Sequence, residues 1–130
     1  MPAILALMAV ALVHPITKTA DLVGDWEGLS LCADKLDFPT VRDEQVVYHV
    51  VAKDARTVLV SMNKIVGGKE ESMSDEPFAM RFDPKTATLT GHVESRKPSD
   101  WTFQLSWSTW TGVARESGGK IFRHILVKRR

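Results

Sequence analysis

After residue 24 the chain has no window of eleven or more residues with apolar positions at i, i+3, i+4 and i+7, but several short segments alternate with period two. The clearest are Val58, Val60, Met62; Phe78, Met80, Phe82; Ala87, Leu89, Gly91, Val93; and Trp101, Phe103, Leu105, Trp107. Each set predicts one face of a strand, because successive side chains on an extended backbone point to opposite sides. Between them stand Ser61, Asn63, Arg81, Thr90, His92, Thr102 and Gln104, which face the other way. The stretches Gln45–Ala52 and Lys120–Lys128 are apolar on both faces and call for cover on both.

Turn-forming stretches at 54–56, 67–77, 83–86, 95–100 and 116–119 separate these runs. Eight strands result, at about 25–33, 45–53, 56–66, 77–83, 86–94, 100–107, 109–115 and 120–129. Connections this short favour antiparallel neighbours, since a parallel crossover needs about a dozen residues or more. Eight such strands close most simply into an up-and-down barrel, which leaves no free edge and an interior for side chains or one small ligand. The fold class is therefore all-β, an eight-stranded antiparallel barrel. The longer stretch 31–44 is mostly polar, contains Pro39, and is expected to fold over one mouth or form a single helical turn. The segment Gly67–Pro77, with Glu70, Glu71, Asp75 and Glu76, reads as a solvated loop or a lid.

The N-terminal twenty residues differ. Ala3–Val13 is an unbroken apolar run, too short to span a bilayer as a helix but of a length suited to an export signal. Residues 1–20 are read as a signal peptide and 21–130 as the barrel domain. Cutting after Ala11, with Ala9 three positions before the cut, fits the small-residue rule but leaves a short apolar run, so Ala20 is the preferred site. The protein is then secreted or periplasmic, with no stable membrane span.

The chain has 130 residues, the size of one domain. Of its 17 basic residues only Lys18 precedes residue 21, so the barrel carries 16 basic and 16 acidic residues, a balance that argues against nucleic acid as a partner. A single cysteine, Cys32, cannot form an internal disulfide and reads as a packed thiol. His14, His49, His92 and His124 lack metal-ligand spacing, and no phosphate loop, nucleophile elbow or paired catalytic carboxylates occur. The expectation is a binding protein rather than an enzyme, without metal or cofactor.

Gly24-Asp25-Trp26-Glu27-Gly28 opens the first predicted strand, and Gly-x-Trp there resembles the strand A motif of the lipocalins and the wider calycin group. The resemblance implies a basic residue on the last strand packed across Trp26 to close the barrel, with Arg123 or Lys128 as candidates. It also implies binding of a small apolar or amphipathic ligand. The inward positions Val58, Val60, Phe78, Met80, Phe82, Leu89, Trp101, Phe103, Leu105 and Trp107 would line the pocket, with Tyr48 or His49 orienting the ligand. A weaker likeness, through Trp26 and Cys32, is to periplasmic inhibitors of bacterial metalloproteases. It supports an alternative in which a filled barrel binds a protein partner through its loops. Trp110 then belongs either to the interior or to a binding rim.

Overall fold

The computed structural model describes residues 14–130. A 3-10 turn at Thr19–Leu22 precedes nine strands: β1 (Gly24–Cys32), β2 (Glu44–Ala52), β3 (Thr57–Val66), β4 (Lys69–Ser72), β5 (Phe78–Asp83), β6 (Thr88–Val93), β7 (Ser99–Leu105), β8 (Thr109–Glu116) and β9 (Ile121–Arg129). The sheet runs β2-β1-β9-β8-β7-β6-β5-β3, and β2 pairs with β3 to complete the ring. Every pairing is antiparallel. This is the closed eight-stranded barrel expected from the alternation.

The ninth strand departs from that expectation. Residues 69–72, read as loop, pair with the far end of β3 through Lys64↔Glu71 and Ile65↔Glu70. β3 is long enough to serve two partners, with its first half on β5 and its second on β4. The hairpin thus extends the wall at one mouth of the barrel. Alternation failed to find it because all four residues of β4 are exposed, so no apolar face marks the strand.

The inward set fills the axis. Trp26, Tyr48, Val58, Val60, Met80, Phe82, Leu89, Phe103, Trp110 and Val127 are all buried. The rings touch in sequence across the barrel: Trp26 to Trp110 at 4.8 Å between centroids, Trp110 to Phe103 at 5.5 Å, and Tyr48 edge-on to Phe103 at 6.1 Å. These separations are those of aromatic pairs in direct contact. Trp26 donates its indole N–H to the Leu22 carbonyl at 3.0 Å. Trp110 is buried with its own indole N–H unpartnered, a cost of about 1–3 kcal/mol set against the large apolar area of its ring.

Trp107 does not join this column. β7 ends at Leu105, and a tight turn follows in which Ser106 N–H donates to the Thr109 carbonyl at 2.8 Å. The turn breaks the two-residue alternation, so Trp107 swings to the outer rim, 36% exposed, while Trp110 on β8 points inward. The expected inward position of Trp107 is corrected accordingly. Phe78 and Trp101, also expected inward, are half-buried toward the mouth, whereas Leu105 is buried toward the base.

Closure of the ring brings β1 and β9 unusually close. A Cβ on Gly28 would overlap the backbone carbonyl of Leu126, and one on Gly112 would overlap the Phe103 ring. At these two points the backbone or a core ring occupies the space of a side chain. Gly28→Ala is therefore expected to lower the free energy of unfolding by about 2–3 kcal/mol, the cost of forced overpacking, measured by urea denaturation followed through tryptophan emission. Gly118→Ala serves as comparison: its φ of 72° strains an alanine, yet nothing lies within 4 Å of the added carbon. It should cost less, about 1 kcal/mol.

Candidate functional site

The two ends of the barrel are built differently. The base is sealed by the segment that precedes β1. Ile16, Thr19 and Leu22 are buried there, and Thr19 Oγ1 donates to the Asp54 carbonyl in the β2–β3 turn at 2.8 Å. Arg129, near the end of β9, places its guanidinium carbon 4.3 Å from the Trp26 ring centroid and 4.1 Å from that of Trp107. Its N–H groups donate to the carbonyls of Asp21, Val23 and Trp107.

The cation over Trp26 is thus Arg129, in place of Arg123 or Lys128. The inward residues of β9 are Ile125, Val127 and Arg129, so Lys128 faces solvent. Arg123 shares the inward parity but lies six residues up the strand, about 20 Å away. It ties the mouth together instead. Its side chain, 13% exposed, donates to Glu44 Oε1 at 3.1 Å, Ser30 Oγ at 3.2 Å and the Arg42 carbonyl at 2.9 Å. One guanidinium thereby fastens β9, β1, β2 and the end of the 33–43 loop.

That loop is an ordered lid. The Asp34 carboxylate accepts the N–H of Leu36 at 2.8 Å, and Phe38 N–H closes a single helical turn on the Asp34 carbonyl at 2.8 Å. Lys35 Nζ donates to the Val41 carbonyl, Asp43 accepts the Cys32 N–H, and Lys120 pairs with Asp37 at 3.0 Å. Under the lid the aromatic column continues: Trp101 to Phe122 at 6.2 Å, edge-on, then Phe122 to Phe38 at 6.0 Å. Beside these rings opens a cavity of about 510 Å³, lined by Phe38, Pro39, Val41, Ser99, Glu116 and Phe122 among others.

Most of the residues expected to line a cup lie below this cavity. Val58, Val60, Met80, Phe82, Leu89 and Phe103 are closed off in the core. Tyr48 is buried among them, and burial raises its phenol pKa despite the nearby Arg123, so it remains a neutral hydroxyl. His49, next to Tyr48 on the same strand, necessarily faces outward and cannot orient an axial ligand. Cys32 donates its thiol to the Phe38 carbonyl at 3.6 Å, a weak bond that adds to the lid's anchoring. The sequence reading missed Phe38, Phe122, Ser99 and Glu116. Phe38 sits in a polar loop, and Phe122 lies next to the register shift near Ala114 and Arg115, where the alternation of β9 is interrupted.

Two histidines of the outer wall, His49 and His92, are each set between carboxylates. His49 Nδ1 lies 2.7 Å from Asp25, and its Nε2 faces Glu70, which also accepts from Asn63 Nδ2 at 2.8 Å. His92 lies 2.6 Å from Asp100 and 2.8 Å from Glu94. Among the described residues no group of three metal-ligating side chains is arranged to hold an ion. A further trough of about 540 Å³ follows β5 and β6, where Ala79 and Gly91 leave space on the wall beside Thr57, Arg81 and Thr90. Met80 and Trp101, two of the residues expected to line a cup, border this trough together with His92, Asp100 and Thr102.

In comparisons with known proteins the chain matches no family model, no curated protein and no solved structure. Among the described residues no helix is long and apolar enough to cross a membrane.

The histidine pairs give a sign for the pH dependence of stability. The bond to Asp25, outweighing partial burial and reinforced by Glu70, raises the pKa of His49 above 6.5, and Asp100 and Glu94 raise that of His92. Such groups stabilise the fold fully below the unfolded value of 6.5, and the contribution fades as pH rises through the folded pKa. Donation from Asn63 and His49 lowers Glu70 from 4.5, and donation from His92 and Ser117 lowers Asp100 from 3.8. Their contribution is complete above those values and is lost on acidification through the folded pKa. The urea midpoint is therefore expected to be higher at about pH 5.5 than at about pH 8.5, by a small margin because the pairs are solvated. The double substitution His49→Asn, His92→Asn should flatten that difference, as read from denaturation curves at both pH values.

Proposed function

We propose that this protein is an exported, noncovalent binding protein that holds a small amphipathic molecule at the mouth of its barrel, beneath the 33–43 lid. The observation that carries the reading is the cavity of about 510 Å³ where Phe38, Pro39, Val41 and Phe122 stand beside polar and charged groups that include Asp37, Lys97, Ser99 and Glu116. Its size falls within the roughly 300–1,000 Å³ of small-molecule sites, and its four apolar side chains stand beside six polar or charged residues, a lining that suits an amphipathic rather than a purely apolar ligand. The apolar run Ala3–Val13 supports export. The barrel shape, Gly24-x-Trp26 and Arg129 over Trp26 support a likeness to the lipocalins.

Because the axis is filled, the site proposed here lies at the mouth and not in the lumen, where the alternation suggested it. The filled axis also limits the affinity. Burying about 250 Å² of apolar ligand surface at about 25 cal/mol per Å² is worth about 6 kcal/mol before the cost of association, which corresponds to binding in the tens of micromolar or weaker. A second reading, a protein partner seated on the lid, is favoured by one observation: Leu36 at the tip of the turn is 94% exposed.

The test is an amide chemical-shift titration with decanoate and with decylamine as probes. Saturable shifts at Phe38, Val41, Ser99 and Phe122, with Val58, Phe82 and Phe103 unmoved, are expected for one probe or both. Val41→Asp should weaken the binding at least tenfold while leaving the spectrum of the core intact. Absence of saturable shifts at the mouth, or saturable shifts centred on the axis, would overturn the reading.

A further inference from the structure

The two ends of the barrel differ in charge. The base is made by residues 14–23, by the turns at 53–56, 83–87 and 106–108, and by the chain end at 128–130, which together hold seven basic residues and three acidic. The mouth, made by residues 33–43, 67–77, 94–98 and 116–120, holds nine acidic residues and six basic. A formal net charge of only +1 thus conceals a polarity along the axis, with the cations gathered at the base.

The three base carboxylates are each turned onto the backbone of their own turn. Asp21 accepts the N–H groups of Thr17 at 2.9 Å and Lys18 at 3.1 Å, Asp54 that of Arg56 at 2.9 Å, and Asp83 that of Lys85 at 2.9 Å. Of the seven cations, Arg129 is stacked on Trp26 and Trp107, and Arg130 pairs with Glu27. The other five, Lys18, Lys53, Arg56, Lys85 and Lys128, are exposed, and among the described residues none lies within ion-pair distance of a carboxylate. Arg56 and Lys85, with Arg81, also border a hollow of about 260 Å³ between the β2–β3 and β5–β6 turns.

The same end carries exposed apolar groups. Trp107 is 36% exposed and Val23 43%, and Arg129 donates to the carbonyls of both, so they adjoin. An indole beside free cations suits a bilayer interface, where the ring settles among headgroups while the cations meet lipid phosphates. A duplex nucleic acid would engage the cations but leave the indole and the valine unused. We propose that the base docks reversibly on an anionic lipid surface, with Trp107 and Val23 at headgroup depth and the five exposed cations against the phosphates. The hollow between Arg56, Arg81 and Lys85 receives one phosphate group. The mouth and its lid then face the water.

The test is co-sedimentation of the full-length chain with vesicles of phosphatidylcholine alone and of equimolar phosphatidylcholine and phosphatidylglycerol. Binding to the mixed vesicles only, lost at about 0.5 M salt, is expected. The combined substitutions Lys53→Ala, Arg56→Ala, Lys85→Ala should lower the partition coefficient at least tenfold. The same loss of charge toward the mouth, Lys64→Ala, Lys69→Ala, Arg96→Ala, should leave it within about twofold. Lipid brominated in its acyl chains should quench the tryptophan emission of the unsubstituted chain and not that of Trp107→Phe. Equal binding to both vesicles, binding to neither, equal losses in the two triple variants, or quenching retained in Trp107→Phe would overturn the proposal. So would tighter binding, per phosphate, to a duplex oligonucleotide at the same salt.

Discussion

The structure depends on one cation held between two indoles. Arg129 lies 4.3 Å from the Trp26 ring centroid and 4.1 Å from that of Trp107, and its N–H groups donate to the backbone carbonyls of Asp21, Val23 and Trp107. A planar guanidinium can stack on both faces and donate in its own plane at once, which an ammonium cannot do. The contact joins the first strand to the last, and with Gly28 it allows β1 to pair on both edges. Without closure here the sheet would keep two free edges, exposed to pairing with other chains.

Sealing the base sets where function can lie. From Trp26 and Trp110 upward the rings succeed one another through Phe103, Trp101 and Phe122 to Phe38 in the lid. The lower barrel is solid, and open volume on the axis side begins only where the column meets the lid. Arg123 performs at the mouth a task like that of Arg129 at the base, binding three strands and a loop through one side chain. The lid is therefore held by polar contacts to a rigid wall, an arrangement suited to a preformed site.

Much of this was legible in the chain. Strict alternation in residues 58–62, 78–82 and 101–105 fixes both strand identity and facing, because a one-residue error would turn each oily face to water. Short connections then force antiparallel neighbours, and eight of these favour closure. What escaped had physical causes. β4 carries no apolar residue, Trp107 follows a turn that resets the parity, and Phe38 is an isolated ring in a polar loop whose role depends on the distant Phe122. Choosing Arg129 over Arg123 and Lys128 requires the register of β9 against β1, which the sequence of one strand does not contain. The burial of Ile16 and Thr19 at the base was not anticipated, because residues 1–20 were set outside the barrel domain.

The claim on which all of this stands, that Arg129 closes the barrel, is tested most directly by urea unfolding of Arg129→Leu beside Lys128→Ala. Loss of two cation–π contacts and the charged donations to carbonyls predicts that Arg129→Leu is less stable by about 2–4 kcal/mol, while Lys128→Ala, facing solvent, stays within about 0.5 kcal/mol of the unsubstituted protein. An Arg129→Leu variant as stable as the unsubstituted protein would contradict the account.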